Sequence, residues 1–274
     1  MNPRPLALLA TLLCAVSAAL AADPPLAPGS QTIRFPESTV QSSAEEMKAR
    51  LHSVEDAGAF DITTEKFQLL VPKNYKPAEP WGLFIWISAG DDARVPADWE
   101  AVLAERKLLF IGALQSGNKR DIFDRIRLAV DASAGMRKRC RVDERRVYIS
   151  GFSGGARVAS MVGVCYADLF TGTMPFMGVN FYTDVVGYDG KKYGISYLPD
   201  DEVLEIAKKK CRFVLFTAEK DFNRPNTLAA FEQGFKKEGF PAVITLEVPA
   251  LGHALPDGMW LAKGLDFLDE GKRK

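Results

Sequence analysis

The sequence has few of the residues that build metal sites and disulfide frameworks. Among its 274 residues there are four cysteines and two histidines. No pair of cysteines has the Cys-x-x-Cys spacing of a zinc site or a redox motif. We therefore expect no metal site, and nothing in the sequence implies a cofactor.

An excess of charge is also absent. Lysine plus arginine and aspartate plus glutamate number 35 each, so the formal net charge is zero. This balance argues against a nucleic acid or an anionic membrane as a partner held by long-range electrostatics. With 47% hydrophobic and 26% charged residues, the composition is typical of a soluble globular protein with room for one large α/β domain or two small ones.

Long apolar runs are absent except at the N-terminus. Arg4 precedes an apolar stretch over residues 5–20, and small side chains surround a cleavage position near Ala21 or Ala22. This is the pattern of a cleaved secretory signal, and the stretch is too short and ends too abruptly for a stop-transfer helix. We predict that residues 1–21 are a signal peptide and that the protein is exported, to the periplasm or to the medium.

Export makes disulfides possible. Cys14 would leave with the signal, and Cys140, Cys165 and Cys211 would remain. Because this number is odd, we expect one disulfide and one free thiol, and the spacing does not select the pair.

After the signal, a leader precedes a single domain. Residues 22–58 are an exposed, proline- and serine-rich leader that ends in a short helix, for which Ser43 and Glu46 supply a capping-box spacing. In residues 59–274 predicted strands and helices alternate. The strands cover residues 67–72, 83–88, 108–114, 147–150, 173–179, 212–217 and 243–248. The helices cover residues 99–107, 122–139, 155–169, 201–210, 228–238 and 259–270.

Several of the predicted strands are nearly continuous apolar runs, such as "GLFIWIS" at residues 82–88 and "RFVLFTA" at residues 212–218. A strand that is covered by helices on both sheet faces needs such a run. The pattern therefore predicts an α/β fold with one doubly wound, mostly parallel sheet in a single domain.

The stretch "GFSGG" at residues 151–155 places a serine between glycines where a strand meets a helix. Such a G-x-S-x-G turn strains the backbone and lifts the Ser153 hydroxyl above the carboxyl edge of the sheet. Only small residues fit at Gly151 and Gly155, and the Gly154 N–H could stabilise an oxyanion. A dinucleotide-binding turn is rejected, because that turn would follow the first strand rather than about the fourth.

A serine hydroxyl needs a base to become a nucleophile, and the base needs a carboxylate that orients it. His253 follows the last predicted strand and therefore reaches the same sheet edge as Ser153. Glu219 and Asp221 both follow the penultimate strand. We favour Asp221, which lies further into the loop, and Glu219 remains the alternative.

A second oxyanion donor is expected in the loop "SAGDDA" that follows the strand at residues 83–88. The backbone N–H of Gly90 or of Asp91 is the candidate, since glycine permits close approach of the backbone. The two adjacent acidic side chains would oppose a developing oxyanion unless they point away from it.

From about residue 60 onward the chain resembles secreted α/β-hydrolases of the polyhydroxybutyrate-depolymerase and feruloyl-esterase type. The stretches "RVYISGFSGGARVAS", "TAEKDFNR", "LGHALPD" and "VPKNY" carry the resemblance. It implies a sheet of the α/β-hydrolase type, with Ser153 as nucleophile, Asp221 as triad acid and His253 as base. The chain departs from that pattern at Ala89-Gly90, where such enzymes usually have His-Gly.

Residues 180–199 contain several tyrosines in a segment that is too polar for a core. We hypothesise that the segment is a small loop cap and that Tyr182, Tyr188 and Tyr193 wall a substrate pocket. A surface loop packed by its own tyrosines explains the pattern equally well.

The sequence thus favours a secreted serine hydrolase that cleaves carboxylic esters through an acyl-enzyme. Its expected partner is a small-molecule or polymeric ester, with no nucleic acid and no membrane after signal cleavage. A serine peptidase on the same triad ranks lower, because no large domain that would gate peptides is evident. A non-catalytic binding module on a hydrolase scaffold is the alternative from another class.

Overall fold

The computed structural model describes residues 26–272. The predicted signal peptide, residues 1–21, lies outside them. The strands are β1 (Gly29–Ile33), β2 (Phe67–Val71), β3 (Trp81–Ile87), β4 (Leu108–Ala113), β5 (Val142–Phe152), β6 (Gly172–Phe176), β7 (Val185–Val186), β8 (Lys192–Tyr193), β9 (Arg212–Ala218) and β10 (Val243–Val248). The helices are α1 (Ala44–Leu51), α2 (Trp99–Glu105), α3 (Ile122–Arg139), α4 (Gly154–Cys165), α5 (Asp201–Lys210), α6 (Arg224–Ala229) and α7 (Gly258–Leu268).

Eight of these strands form one sheet in the order β1-β2-β4-β3-β5-β6-β9-β10. The pairs β1–β2 and β2–β4 are antiparallel, and all the pairs from β4 to β10 are parallel. The predicted mostly parallel, doubly wound sheet in a single domain is confirmed. Since the parallel strands share one direction, the loops that follow them meet at one carboxyl edge.

The apolar runs place side chains on both faces of the sheet. In β3 every residue is buried, and Phe84 and Trp86 face one core while Leu83, Ile85 and Ile87 face the other. Helices α3 and α4 cover the second core, and α2 and α7 cover the first. Continuous hydrophobicity in β3 therefore follows from helices on both faces, as the sequence predicts.

Several element boundaries differ from the prediction, among them the start of β5 and the end of α4, and two further ones have a clear physical reason. The strand predicted to reach residue 179 ends at Phe176, because Met177 takes a left-handed φ of 59°. The helix predicted over residues 228–238 begins at Arg224, where Pro225 suits the first turn, and it continues beyond Ala229 as a π-helical stretch.

The leader is not an exposed tail throughout. Gly29–Ile33 pairs with β2 as the edge strand of the sheet. Phe35 is only 2% exposed, and its ring centroid lies 4.9 Å from that of Phe67. The ring fits into a notch at Gly135, where an added Cβ would be 2.2 Å away. The prediction of an exposed leader is therefore wrong for this stretch. The proline-rich composition suggested exposure, but the side chains of Ile33 and Phe35 are buried in the core.

The expected single disulfide is not found. Cys140, Cys165 and Cys211 are all free thiols. The Cys140 thiol donates to Met136 O and the Cys211 thiol to Phe170 O. Burial raises the pKa of Cys140 to about 11 and that of Cys211 to about 12, so both remain protonated at neutral pH.

No helix within residues 26–272 has both the length and the hydropathy that a membrane crossing requires. In the same residues no cluster of three or more histidine, cysteine or acidic side chains could hold a metal ion.

Replacing Phe35 by alanine tests whether the leader belongs to the domain. We expect Phe35→Ala to lower the free energy of unfolding by about 3–5 kcal/mol, because a fully packed ring would leave a cavity. Val40→Ala is the control, since Val40 is 76% exposed and should change the free energy by less than about 0.5 kcal/mol. Urea denaturation measures the free energy of unfolding of both variants. Equal, small changes in the two would contradict the assignment of Phe35 to the domain core.

Candidate active site

Ser153 occupies a strained turn between β5 and α4. Its φ and ψ are 55° and −116°, a backbone conformation that residues other than glycine rarely adopt. The Ser153 N–H donates to Phe176 O at 2.9 Å, which ties the turn to the end of β6. The serine therefore stands at the carboxyl edge of the sheet with its backbone held by the neighbouring strand.

The flanking glycines are required by the close approach of α4 to the end of β3. A Cβ on Gly155 would lie 2.0 Å from Ile87 O, and a Cβ on Gly151 would lie 2.5 Å from the same atom. Both contacts are with backbone, which cannot move aside as a flexible side chain could. The structure thus gives the reason for the glycines of the motif at this site.

His253 lies in the loop after β10 and bridges the other two predicted residues. Its Nε2 is 2.8 Å from Ser153 Oγ, and its Nδ1 is 2.7 Å from Asp221 Oδ1. The histidine side chain is 21% exposed and the aspartate side chain is fully buried. With the carboxylate accepting from Nδ1–H, Nε2 is the nitrogen that can accept the serine proton.

The loop after β9 separates the roles of the two competing carboxylates. Asp221 Oδ1 also accepts from the Asn223 N–H at 3.1 Å, and its Oδ2 is buried without a hydrogen-bond partner among the described residues. Glu219 instead accepts from the Ala250 N–H at 2.8 Å. Only Asp221 contacts the histidine, and Glu219 ties together the loops that carry Asp221 and His253.

Two aromatic rings pack against the His253 ring, and sequence reasoning missed both. The ring centroid of Phe152 lies 4.9 Å away and that of Phe222 lies 4.1 Å away. Phe222 is nevertheless 70% exposed. Both rings could have been found from the sequence, because Phe152 directly precedes Ser153 and Phe222 directly follows Asp221.

The loop after β3 is pinned by the turn that follows β4. The Gly90 N–H already donates to Ser88 Oγ at 3.1 Å. Of the two candidate oxyanion donors, the Asp91 N–H is therefore the better one. The Gln115 N–H donates to Asp91 O, and the Asn118 N–H donates to Ala89 O. The turn after β4 therefore holds the backbone of this loop at two points.

Asn118 and Arg125 are neighbours of the candidate oxyanion donors, and sequence reasoning missed both. A Cβ on Gly154 would lie 2.0 Å from Asn118 Oδ1, so this amide packs directly on the helix start. Arg125, only 6% exposed, donates to Ser88 O and Ser116 O at 2.8 Å each. Burial lowers the pKa of its guanidinium, which nevertheless stays charged. Its positive charge therefore lies beside the backbone of the loop after β3, at Ser88 O.

The three tyrosines of the predicted cap have different surroundings. Tyr182 is 6% exposed and stacks on Phe181 at 4.3 Å, so it belongs to the core and not to a pocket wall. Tyr188 is 67% exposed, and its hydroxyl accepts from Arg224 at 3.1 Å. Tyr193, in the β7–β8 hairpin, lines a cavity. The hypothesis therefore fails for Tyr182, whose ring is buried by aromatic neighbours.

No protein-family model and no curated protein sequence matches this chain. Solved structures do. Thermogutta terrifontis esterase 2 has a TM-score of 0.54 at 15% identity over 91% of this chain and 96% of its own. Est1E from Butyrivibrio proteoclasticus has a TM-score of 0.50 at 15% identity, over 76% of this chain and 92% of its own.

A Bacteroides ovatus protein described as a dipeptidyl aminopeptidase IV has a TM-score of 0.56 at 13% identity, over 89% of this chain. The chain has the α/β-hydrolase fold. It spans 36% of the length of the dipeptidyl aminopeptidase. At these identities the likeness concerns the fold.

The strained turn predicts an unusual order of stability. Glycine normally costs about 0.5–1 kcal/mol relative to alanine within regular structure, but at a positive φ the alanine Cβ is the greater cost. We expect Ser153→Gly to be more stable than Ser153→Ala by about 1 kcal/mol. Both variants lose the hydroxyl, so the difference isolates the backbone. Urea denaturation of the pair measures it, and a more stable alanine variant would rule out strain at this turn.

Proposed function

We propose that this protein is a serine hydrolase that cleaves carboxylic esters through an acyl-enzyme. Ser153 is the nucleophile, His253 the general base and Asp221 the residue that orients the base. The observation that carries the proposal is the unbroken hydrogen-bond chain from Ser153 Oγ to His253 to the buried Asp221 carboxylate. The strained, partly exposed position of the serine at the sheet edge supports the same role.

In the proposed reaction Ser153 Oγ forms a bond to the ester carbonyl carbon while its proton moves to His253 Nε2. The carbonyl electron pair moves onto oxygen, where the N–H groups of Gly154 and Asp91 stabilise the charge. The carbonyl then re-forms, the bond to the alcohol oxygen breaks, and His253 protonates the departing alcohol. Water, deprotonated by His253, repeats the sequence and releases the acid.

An ester is a better-supported substrate than a peptide. The likeness to the Thermogutta esterase extends over almost the whole of both chains, whereas it covers about a third of the dipeptidyl aminopeptidase. The motifs that resemble polyhydroxybutyrate depolymerases and feruloyl esterases favour the same class. A non-catalytic module is disfavoured, because such a module has no need of a strained serine hydrogen-bonded to a histidine.

Labelling by a fluorophosphonate tests the nucleophile directly. We expect the probe to modify Ser153 in the wild-type protein, because His253 removes the serine proton as the phosphorus is attacked. Labelling should be lost in His253→Ala. Mass spectrometry of the adduct peptide identifies the residue. A folded wild-type protein that is not labelled would reject the proposal and favour the binding-module alternative.

The two carboxylates after β9 provide a matched pair. Asp221→Asn should lower kcat on a 4-nitrophenyl ester by about 10⁴-fold, because the amide favours the wrong imidazole tautomer. Glu219→Gln keeps an oxygen that can accept from Ala250 and should change kcat less than about threefold. Steady-state kinetics of both variants, checked for folding by circular dichroism, decide between them. A larger effect at Glu219 would reverse the assignment.

We also propose that the protein is exported. The N-terminal pattern of Arg4 and the following apolar stretch supports this. Expression of the full chain in a bacterial host should give a mature protein that begins at Ala22 or Asp23. Intact-mass spectrometry of the periplasmic fraction measures the new N-terminus. An uncleaved chain that stays in the cytoplasm would contradict export.

A further inference from the structure

A small polar cavity lies beside the candidate active site, between α4 and the segment that follows β6. Its volume is 270 Å³. Its polar wall includes Arg157, Asn180, Lys192, Tyr193 and Asn226. No aspartate or glutamate among residues 26–272 lines it. A cavity whose wall combines an arginine that forms no ion pair among the described residues with amide and hydroxyl donors is suited to an anionic group.

Arg157 is the charge at the centre of this wall. Its Nη1 donates to Val179 O and to Asn180 Oδ1, and its Nη2 donates to Asn223 Oδ1 at 2.9 Å. All three acceptors are neutral, and Arg157 takes part in no ion pair within residues 26–272. Of the five N–H donors of a guanidinium, two remain for a ligand, including Nε–H.

The other charges near Arg157 do not neutralise it. Lys192 Nζ lies 2.6 Å from Asp184 Oδ2, and both side chains of this ion pair are exposed to solvent. Asp221 attracts Arg157 only at a distance, and burial lowers the pKa of the guanidinium. A partly buried cation without a counter-ion is costly to fold, and an anion bound in the cavity would offset that cost.

The cavity is close to the nucleophile. Arg157 N donates to Ser153 O at 3.1 Å in the first turn of α4, so the two residues are about 6 Å apart along the helix axis. Long side chains on a helix lean toward its N-terminus. A Cβ added at Gly178 would lie 3.4 Å from Arg157 Cγ and 2.8 Å from Ser153 O, so the Arg157 stem lies near the serine backbone. The guanidinium donates to Asn223 Oδ1, and the Asn223 N–H donates to Asp221 Oδ1, which links Arg157 to the candidate active site.

We propose that this cavity is a carboxylate-binding subsite and that the preferred esters carry a free carboxylate about one helical turn from the scissile carbonyl. Arg157 grips the carboxylate through its two remaining N–H groups, and Tyr193 and Lys192 complete the wall. The claim that the preferred esters carry a carboxylate rests on the proposed ester hydrolysis. The claim that the cavity binds a carboxylate does not rest on it, because a free dicarboxylate could supply the same group.

Binding is tested without turnover in the Ser153→Ala protein. Isothermal titration calorimetry with glutarate and with its neutral counterpart glutaramide compares a carboxylate with an uncharged group of the same shape. We expect glutarate to bind at least tenfold more tightly, and Arg157→Gln in the same background to remove that preference. Equal binding of the two compounds, or a preference that survives Arg157→Gln, would overturn the subsite.

The substrate is tested by a ratio. The wild-type kcat/KM for mono-4-nitrophenyl glutarate is divided by that for 4-nitrophenyl 4-carbamoylbutanoate, after subtraction of the spontaneous rates. We expect Arg157→Gln to lower this ratio at least tenfold. Because Arg157 also contacts Asn223, which holds Asp221, the variant slows both esters, but that common effect cancels in the ratio.

Lys209→Ala is the matched control, since it removes an equal charge from the exposed face of α5 and Lys209 does not line the cavity. Its ratio should stay within twofold of wild type; a tenfold fall there would overturn a specific site in favour of long-range charge. Arg157→Lys replaces Arg157→Gln if the latter does not fold, because lysine lacks the two-pronged donor geometry and should also lower the ratio.

The two experiments separate the sources of the carboxylate. A binding preference together with a falling ratio supports the substrate subsite. A binding preference with an unchanged ratio supports the cavity as a site for free carboxylates and overturns its role in substrate choice. If neither ester is hydrolysed and fluorophosphonate does not label Ser153, the proposed function fails while the calorimetric result still stands by itself.

Discussion

The contact between the start of α4 and the Ile87 carbonyl is the constraint on which the site depends. Gly151 and Gly155 both lie where a Cβ would meet that oxygen. With the helix this close to β3, the chain has a single residue in which to reverse, and Ser153 takes the strained conformation that results. The same close approach brings the start of α4 next to Ser88 in the loop after β3, so the proposed nucleophile and the proposed oxyanion donors depend on one contact.

Charge at the carboxyl edge is arranged around neutral acceptors. Asp221 is buried against His253, whereas Arg125 and Arg157 hold backbone carbonyls and amide oxygens in place of carboxylates. A guanidinium satisfied by neutral oxygens keeps its full positive potential. The positive potential at this edge therefore favours the binding of negative charge, both at the proposed oxyanion and in the cavity one turn along α4.

The sheet, most helices and the serine turn could be predicted because each is encoded locally. Continuous apolar runs mark strands buried on both faces, and glycines around Ser153 mark a close approach. Chain topology alone brought His253 and Asp221 to the same edge. Other features depend on partners distant in sequence. The burial of Phe35 requires the notch at Gly135, and Arg125 acquires its role only when the loop after β3 folds over it.

Several energetically costly features of this structure lie at the carboxyl edge of the sheet. The positive φ at Ser153 opposes folding, as do a buried Asp221 oxygen without a hydrogen-bond partner and two arginines, Arg125 and Arg157, without an ion pair within residues 26–272. The sheet itself is stabilised mainly by apolar burial, with every residue of β3 and β4 buried. Because Arg125 and Arg157 keep their positive potential at the carboxyl edge, an anion bound there would offset part of the cost of burying them.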